Sequence, residues 1–136
     1  MRNIIGLSLI TAYLLLSGCN KDDESERFKL LTTPVWTSES ILANGVEPAG
    51  SWIFLKQFSG DAKFNKDGTG SFGSYTGEWK FNAAETEITI ITTAVSLPII
   101  TDIVELTSKS LKITTTVNNP LNPLESADVS MTFKAK

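Results

Sequence analysis

Histidine is absent from this sequence, and cysteine occurs once, as Cys19. Those two facts exclude a large part of enzyme chemistry. No Ser-His-Asp triad can form, no Cys-His pair, and none of the common zinc sites, which are built from several Cys and His ligands. A lone cysteine makes no intrachain disulfide, so the folded part must be held by its own core. A basic excess is also lacking. Residues 28–136 carry 9 basic and 11 acidic side chains, a net charge of −2. Such a near-neutral domain has no stripe that would attract phosphates, which argues against nucleic-acid binding. Beyond residue 18 no apolar run approaches the roughly 20 residues that a membrane-spanning helix needs.

The start of the chain has a different character. Met1-Arg2-Asn3 supplies a positive charge. Ile4 to Leu16 is an apolar run of 13 residues, interrupted by Gly6, Ser8 and Thr11. It is too short to span a bilayer, and its length and flanks fit the middle of a secretory signal. It ends in Leu16-Ser17-Gly18-Cys19. An aliphatic residue, two small ones and a cysteine resemble the bacterial lipobox. That resemblance implies cleavage between Gly18 and Cys19, with covalent acyl chains on Cys19 holding the protein to a lipid bilayer. Each buried methylene contributes about 0.8 kcal/mol, and several chains on one residue make release negligible.

Next comes Asn20-Lys21-Asp22-Asp23-Glu24-Ser25-Glu26-Arg27, a run that buries no apolar area and is expected to be a solvated tether. Lys21 followed by Asp22, Asp23 and Glu24 resembles the surface-export signal of Bacteroidota lipoproteins. It implies an outer-membrane location facing the cell exterior, with the periplasmic face as the alternative. The chain therefore divides into a signal (1–18), a lipidated cysteine with its tether (19–27) and one domain (28–136), whose length suits a single fold.

Within that domain Thr, Ile, Val and aromatic residues dominate, and turn signals recur every 8–12 positions, the pattern of an all-β sandwich or barrel. Phe28 to Thr33 suits one helical turn, ended by Pro34. Strands are expected at 36–42, 61–64, 69–75, 78–81, 86–93, 99–106, 111–117 and 127–134. In the first, Trp36, Ser38, Ser40 and Leu42 would share a face. Asn44-Gly45 and Asn65-Lys66-Asp67-Gly68 are turns. Residues 46–58, with Trp52-Ile53-Phe54-Leu55, lack clean alternation and read as a short helix over one end of the sheet, or as a strand buried on both faces. Eight strands with short connections are antiparallel neighbours and can close as an up-and-down meander, which removes exposed edges.

Several segments in this order carry a family resemblance. They are the aromatic first strand, Phe64-Asn65-Lys66-Asp67-Gly68-Thr69-Gly70, Gly77-Glu78-Trp79, the alternating Ile-Thr strand, and Leu106-Thr107 with Leu111-Lys112-Ile113. From about Leu30 to Phe133 the chain resembles the lipocalin-like domain of Bacteroidota lipoproteins. Lipocalins place Gly-x-Trp at their first strand; here Pro34 stands in the glycine position before Trp36. The resemblance implies an all-β, antiparallel barrel of about eight strands and a non-catalytic envelope protein with no cofactor besides the acyl chains on Cys19.

Candidate ligand contacts are Trp36, Trp52, Phe54, Trp79 and Asp102. Trp52 and Phe54 lie in the segment without strand periodicity. Asp102 alternates with Ile100, Val104 and Leu106, and would line the interior if those three do. The carboxylate pairs Glu85/Glu87 and Asp102/Glu105 are candidates for glycosidase-type chemistry, which needs two inward-facing carboxylates, but Glu87 alternates with core residues and should point outward. An EF-hand alignment on Gly68 puts Lys63 first and Ser74 twelfth, the wrong residues for calcium. The expected function is binding of a small apolar or amphipathic ligand. The alternative is a structural lipoprotein acting through contact with partner proteins in an outer-membrane complex.

Overall fold

The computed structural model describes residues 24–93, 95 and 97–136. The signal, Gly18, Cys19 and Lys21 to Asp23 lie outside the described residues. A helix, α1 (Glu26–Thr32), precedes eight strands: β1 (Trp36–Ala43), β2 (Asp61–Phe64), β3 (Thr69–Phe72), β4 (Tyr75–Phe81), β5 (Glu87–Thr92), β6 (Ile99–Leu106), β7 (Ser110–Asn118) and β8 (Ser126–Ala135). Each strand pairs with the next and β8 returns to β1, so the sheet is a closed antiparallel barrel. Gly50–Phe58, between β1 and β2, is a 3₁₀ helix rather than a strand. Its buried Leu55 and Phe58 point into the core.

α1 starts two residues earlier than the domain boundary read from the sequence. Ser25 caps it by accepting from the Phe28 amide at 3.0 Å, and its hydroxyl donates to Glu85 at 2.6 Å. Arg27 Nε donates to the Glu85 carbonyl at 2.8 Å, and Lys66 pairs with Glu24 at 3.1 Å. Residues 24–27, expected to be free tether, are therefore docked on the barrel. At the other end of α1 the Lys63 ammonium donates to the carbonyls of Thr32, Thr33 and Pro34. A cation there satisfies orphan acceptors and opposes the helix dipole.

α1 covers the end of the barrel that carries the β2–β3, β4–β5 and β6–β7 turns. The interior under it is aromatic. Phe64 meets Trp79 edge-on at 5.6 Å and Phe72 at 5.4 Å; Phe28 of α1 lies 5.8 Å from Trp79. Trp36 is fully buried.

Two β-bulges change the expected facing of side chains. On β1, Ser38 pairs with Phe133 and Ser40 with Thr132, so Glu39 is an extra residue. The alternation changes phase there: Trp36 faces in, but so do Ile41 and Ala43, and Leu42 does not share Trp36's face as expected. On β6 the extra residue is Val104, between Ile103 and Glu105. Ile99 and Thr101 are buried while Ile100 and Val104 are 56% and 59% exposed. Asp102 is accordingly on the outer face, and the condition that would have placed it inside is not met.

The strand expected at 69–75 ends at Phe72. Phe72 pairs with Tyr75 across Gly73-Ser74, so β4 begins three residues earlier than expected. Gly73 has φ +62°, the first central position of a type II′ turn. An added Cβ would sit 2.3 Å from the Gln57 carbonyl oxygen. That close approach lets Ser74 N–H reach the same oxygen at 2.8 Å, tying the 3₁₀ helix to the turn.

Candidate ligand cavity

The barrel tapers because side-chain size is graded along its strands. Reading β8 away from α1, the inward residues run Phe133, Met131, Val129, Ala127, all buried. On β7 the inward order is Leu111, Ile113, Thr115, Val117, and on β1 it is Trp36, Ile41, Ala43. Large residues fill the α1 end. Small ones leave the opposite end under-filled, and an eight-stranded barrel has just enough width for side chains or one small ligand.

A cavity of about 1150 Å³ occupies that end. Small-molecule sites commonly measure about 300–1,000 Å³; this one is larger, and its lining extends to outer-face residues such as Ile100, Asp102 and Asp128. Leu55 and Phe58 of the 3₁₀ helix, Ile99, Val117, Val129 and Met131 supply its apolar wall. Asn119 is buried at the rim, where its amide donates to Ser51 Oγ at 2.9 Å and joins the β7–β8 loop to the 3₁₀ helix. The rim is exposed and aliphatic at Val46, Ile53, Leu97, Leu121 and Leu124.

The five side chains proposed from the sequence do not meet at one site. Phe54 and Asp102 line the cavity, Phe54 from the mouth and Asp102 from the outer face of β6. Trp52 is half-buried beside Phe54, their rings 6.4 Å apart. Trp36 and Trp79 are corrections: they belong to the packed end, away from the cavity. Trp36 Nε1 donates to the Leu31 carbonyl at 3.0 Å and Trp79 Nε1 to the Asn65 carbonyl at 2.8 Å, so both indoles are satisfied by backbone. Sequence reading missed Leu55, Phe58, Val117, Val129 and Met131. The Ala-Val-Met-Phe gradient at alternate positions of β8 was the available signal.

Among the described residues the carboxylates proposed from the sequence are spread over the barrel. Glu85 is engaged by Ser25, and Glu87 sits on the outer face opposite Asp102 in the β5–β6 ladder. Among the described residues no group of three His, Cys, Asp or Glu side chains could hold a metal. Asp67 accepts from the amide and the hydroxyl of Thr69 at 3.0 and 2.7 Å; these bonds, the hydroxyl first, hold its carboxyl below the usual range. The Asn65–Gly68 segment is thus a self-bonded hairpin turn. Among the described residues no helix is long and apolar enough to cross a membrane.

A closed eight-stranded up-and-down barrel, plugged at one end and hollow at the other, is a lipocalin-like fold. Among solved structures, bovine odorant binding protein in complex with a selenium-containing odorant is similar, with a TM-score of 0.50 and 11% identity over 87% of this chain and 78% of that one. At that identity the likeness establishes the fold alone. No protein-family profile and no curated protein matches the chain.

Proposed function

We propose that this protein is a membrane-anchored, surface-displayed lipoprotein whose barrel binds a small apolar or amphipathic molecule without transforming it. The observation that carries the binding reading is the cavity at the tapered end, with its apolar wall of Leu55, Phe58, Ile99, Val117, Val129 and Met131. A barrel packed solid throughout would have spoken against it. The absence of histidine and the scattering of the carboxylates support a non-catalytic role. The similar barrel fold of a protein solved with an odorant agrees with it. The lipobox-like Leu16-Ser17-Gly18-Cys19 supports anchoring through acyl chains on Cys19, and Lys21-Asp22-Asp23-Glu24 supports display on the outer surface.

Titration with N-phenyl-1-naphthylamine, an apolar dye that brightens out of water, tests the cavity. Saturable micromolar binding is expected. Val117→Trp, which projects an indole into the mouth, should weaken it about tenfold or more, a loss of about 1.4 kcal/mol. Unsaturable binding, or binding indifferent to that substitution, overturns the reading. Cys19→Ala should move the protein from the membrane fraction to the soluble one, and protease added to intact cells separates the outer from the periplasmic face.

A second reading has its own observation. Ile91, Ile100 and Val104 are exposed aliphatic side chains on the outside of β5 and β6, with Asp102 between the last two. Such a surface suits a protein contact. Its involvement predicts that Val104→Glu abolishes a partner complex while dye binding is untouched.

A further inference from the structure

The cavity lining also includes exposed residues of the outer face beside the β6–β7 seam: Ile100, Asp102, Thr116 and Asp128. The β6–β7 ladder ends at Asp102 opposite Thr114. Yet β6 continues to Ile99 along β5, and β7 continues to Asn118 along β8. Over Ile99 to Thr101 on one side and Thr115 to Asn118 on the other, the two strands are not paired in the ladder. Ile99 and Ile100 on one lip and Thr115, Thr116 and Val117 on the other line the cavity. The Thr115 hydroxyl reaches across to the Ile100 carbonyl at 2.7 Å, a side-chain bond standing where a ladder bond would be. A closed barrel normally pairs its backbone groups all round, so an unpaired stretch beside the cavity, bridged by one side-chain bond, is the weakest place in the wall, a slot for part of a ligand to pass.

The surface outside the β7 side of this slot is polar, with two carboxylates near the slot and Lys112 one same-face position beyond Thr114. Asp102 lies opposite Thr114, Thr114 opposite Ser130, and Thr116 opposite Asp128. Thr116 donates to Asp128 at 3.1 Å. The backbone of Asp102 is paired in the sheet, and its carboxylate makes no hydrogen bond or ion pair among the described residues. No lysine or arginine lines the cavity.

We infer that the slot between β6 and β7 is a head-group site: the ligand is a single-tailed amphiphile whose tail fills the barrel and whose cationic or hydroxyl-rich head leaves sideways, over Asp102, Thr116 and Asp128. This rests on the binding reading above and adds the ligand class and the direction of exit. An anionic head would meet two carboxylates, whereas an ammonium beside a half-exposed carboxylate gains a modest attraction.

Two measurements on the full chain decide it. In the first, dodecylamine, dodecyl glucoside and dodecanoate compete with the naphthylamine dye at pH 7.5 and low salt. The amine should bind about fivefold or more tighter than the carboxylate, the glucoside should fall between, and Asp102→Asn with Asp128→Asn should flatten the order. Equal affinities, or an order the double substitution leaves unchanged, overturn the inference. In the second, Cys19→Ser protein carries a fluorophore on either Thr116→Cys or Leu121→Cys, and a dodecylamine bears a nitroxide on its head. Stronger quenching at 116 than at 121 places the head in the slot. The reverse places it at the axial mouth, which sinks the slot but leaves a ligand in the barrel. No displacement of dye by any amphiphile sinks the binding reading itself.

Discussion

Trp36→Phe separates two roles that an aromatic residue in this barrel can play. Trp36 is fully buried at the plugged end and its indole donates to the Leu31 carbonyl at 3.0 Å, which joins β1 to α1. Phenylalanine keeps a ring but loses the nitrogen and two carbons. The carbons are worth about 1.6 kcal/mol at about 0.8 per buried carbon. The lost hydrogen bond, with the Leu31 carbonyl left beneath α1, adds about 1–1.5 kcal/mol. The sum is about 3 kcal/mol. With roughly 110 ordered residues and an unfolding entropy of about 2.1 cal/mol/K per residue, Tm should fall by about 13 °C. Thermal melts and urea midpoints read this directly. Dye affinity, measured well below the new Tm, should not change, because Trp36 does not line the cavity. Phe54→Ala should shift the balance: a smaller loss of stability for a partly buried residue, and weaker dye binding. A Trp36→Phe protein with unchanged Tm, or with lost affinity at full stability, would refute the division of the barrel into a packed end and a hollow end.

Gly73→Ala should destabilise by more than about 1 kcal/mol, since the positive φ and the 2.3 Å approach to Gln57 both oppose a Cβ; hydrogen exchange at Ser74 should accelerate with it. Gly77→Ala should be worse, because its Cβ would lie 1.9 Å from the Ile91 carbonyl oxygen, and recovery of soluble protein is the simplest readout. Asp61 is held below its ordinary value of 3.8, first by the Lys136 hydrogen bond and then by that of Thr37. A carboxyl lowered by folding stabilises at pH above its ordinary value, and the contribution fades as pH falls through the lowered one. In Lys136→Ala, NMR titration should therefore show the Asp61 midpoint moving up. Glu85 holds φ +60° without being glycine. Glu85→Val should cost about 1–2 kcal/mol, and Glu85→Gly much less, because relief of the left-handed backbone offsets the lost Ser25 contact.

Where period-two alternation was unbroken, the inward faces were legible. Ile88 and Ile90, Leu111 and Ile113, and Val129, Met131 and Phe133 are buried as their spacing requires. Alternation fails across a bulge, since one extra residue inverts every later side chain. That inversion moved Leu42 off Trp36's face and Ile41 onto it. On β6 the bulge at Val104 lets Leu106 turn inward, but Ile100 lies before it and faces out all the same; hydrophobicity alone cannot tell an exposed aliphatic residue from a core one. The Gly73-Ser74 turn was hidden inside a long threonine- and aromatic-rich run, although glycine at its first position was a usable sign. Trp36 and Trp79 attracted attention as large aromatics, yet large aromatics are what plug a barrel. The hollow is made by residues too small to be noticed singly.

The docking of Glu24 and Ser25 beside α1 has a geometric corollary. Only residues 20–23 separate Cys19 from Glu24. Five fully stretched Cα–Cα steps span at most about 17 Å. The ten residues of β8 measure about 33 Å along the strand, or about 25 Å along an axis tilted by about 40°. With acyl chains on Cys19, as proposed, so brief a leash keeps the helical lid next to the lipid headgroups and aims the hollow outward, at whatever drifts past rather than at the bilayer beneath.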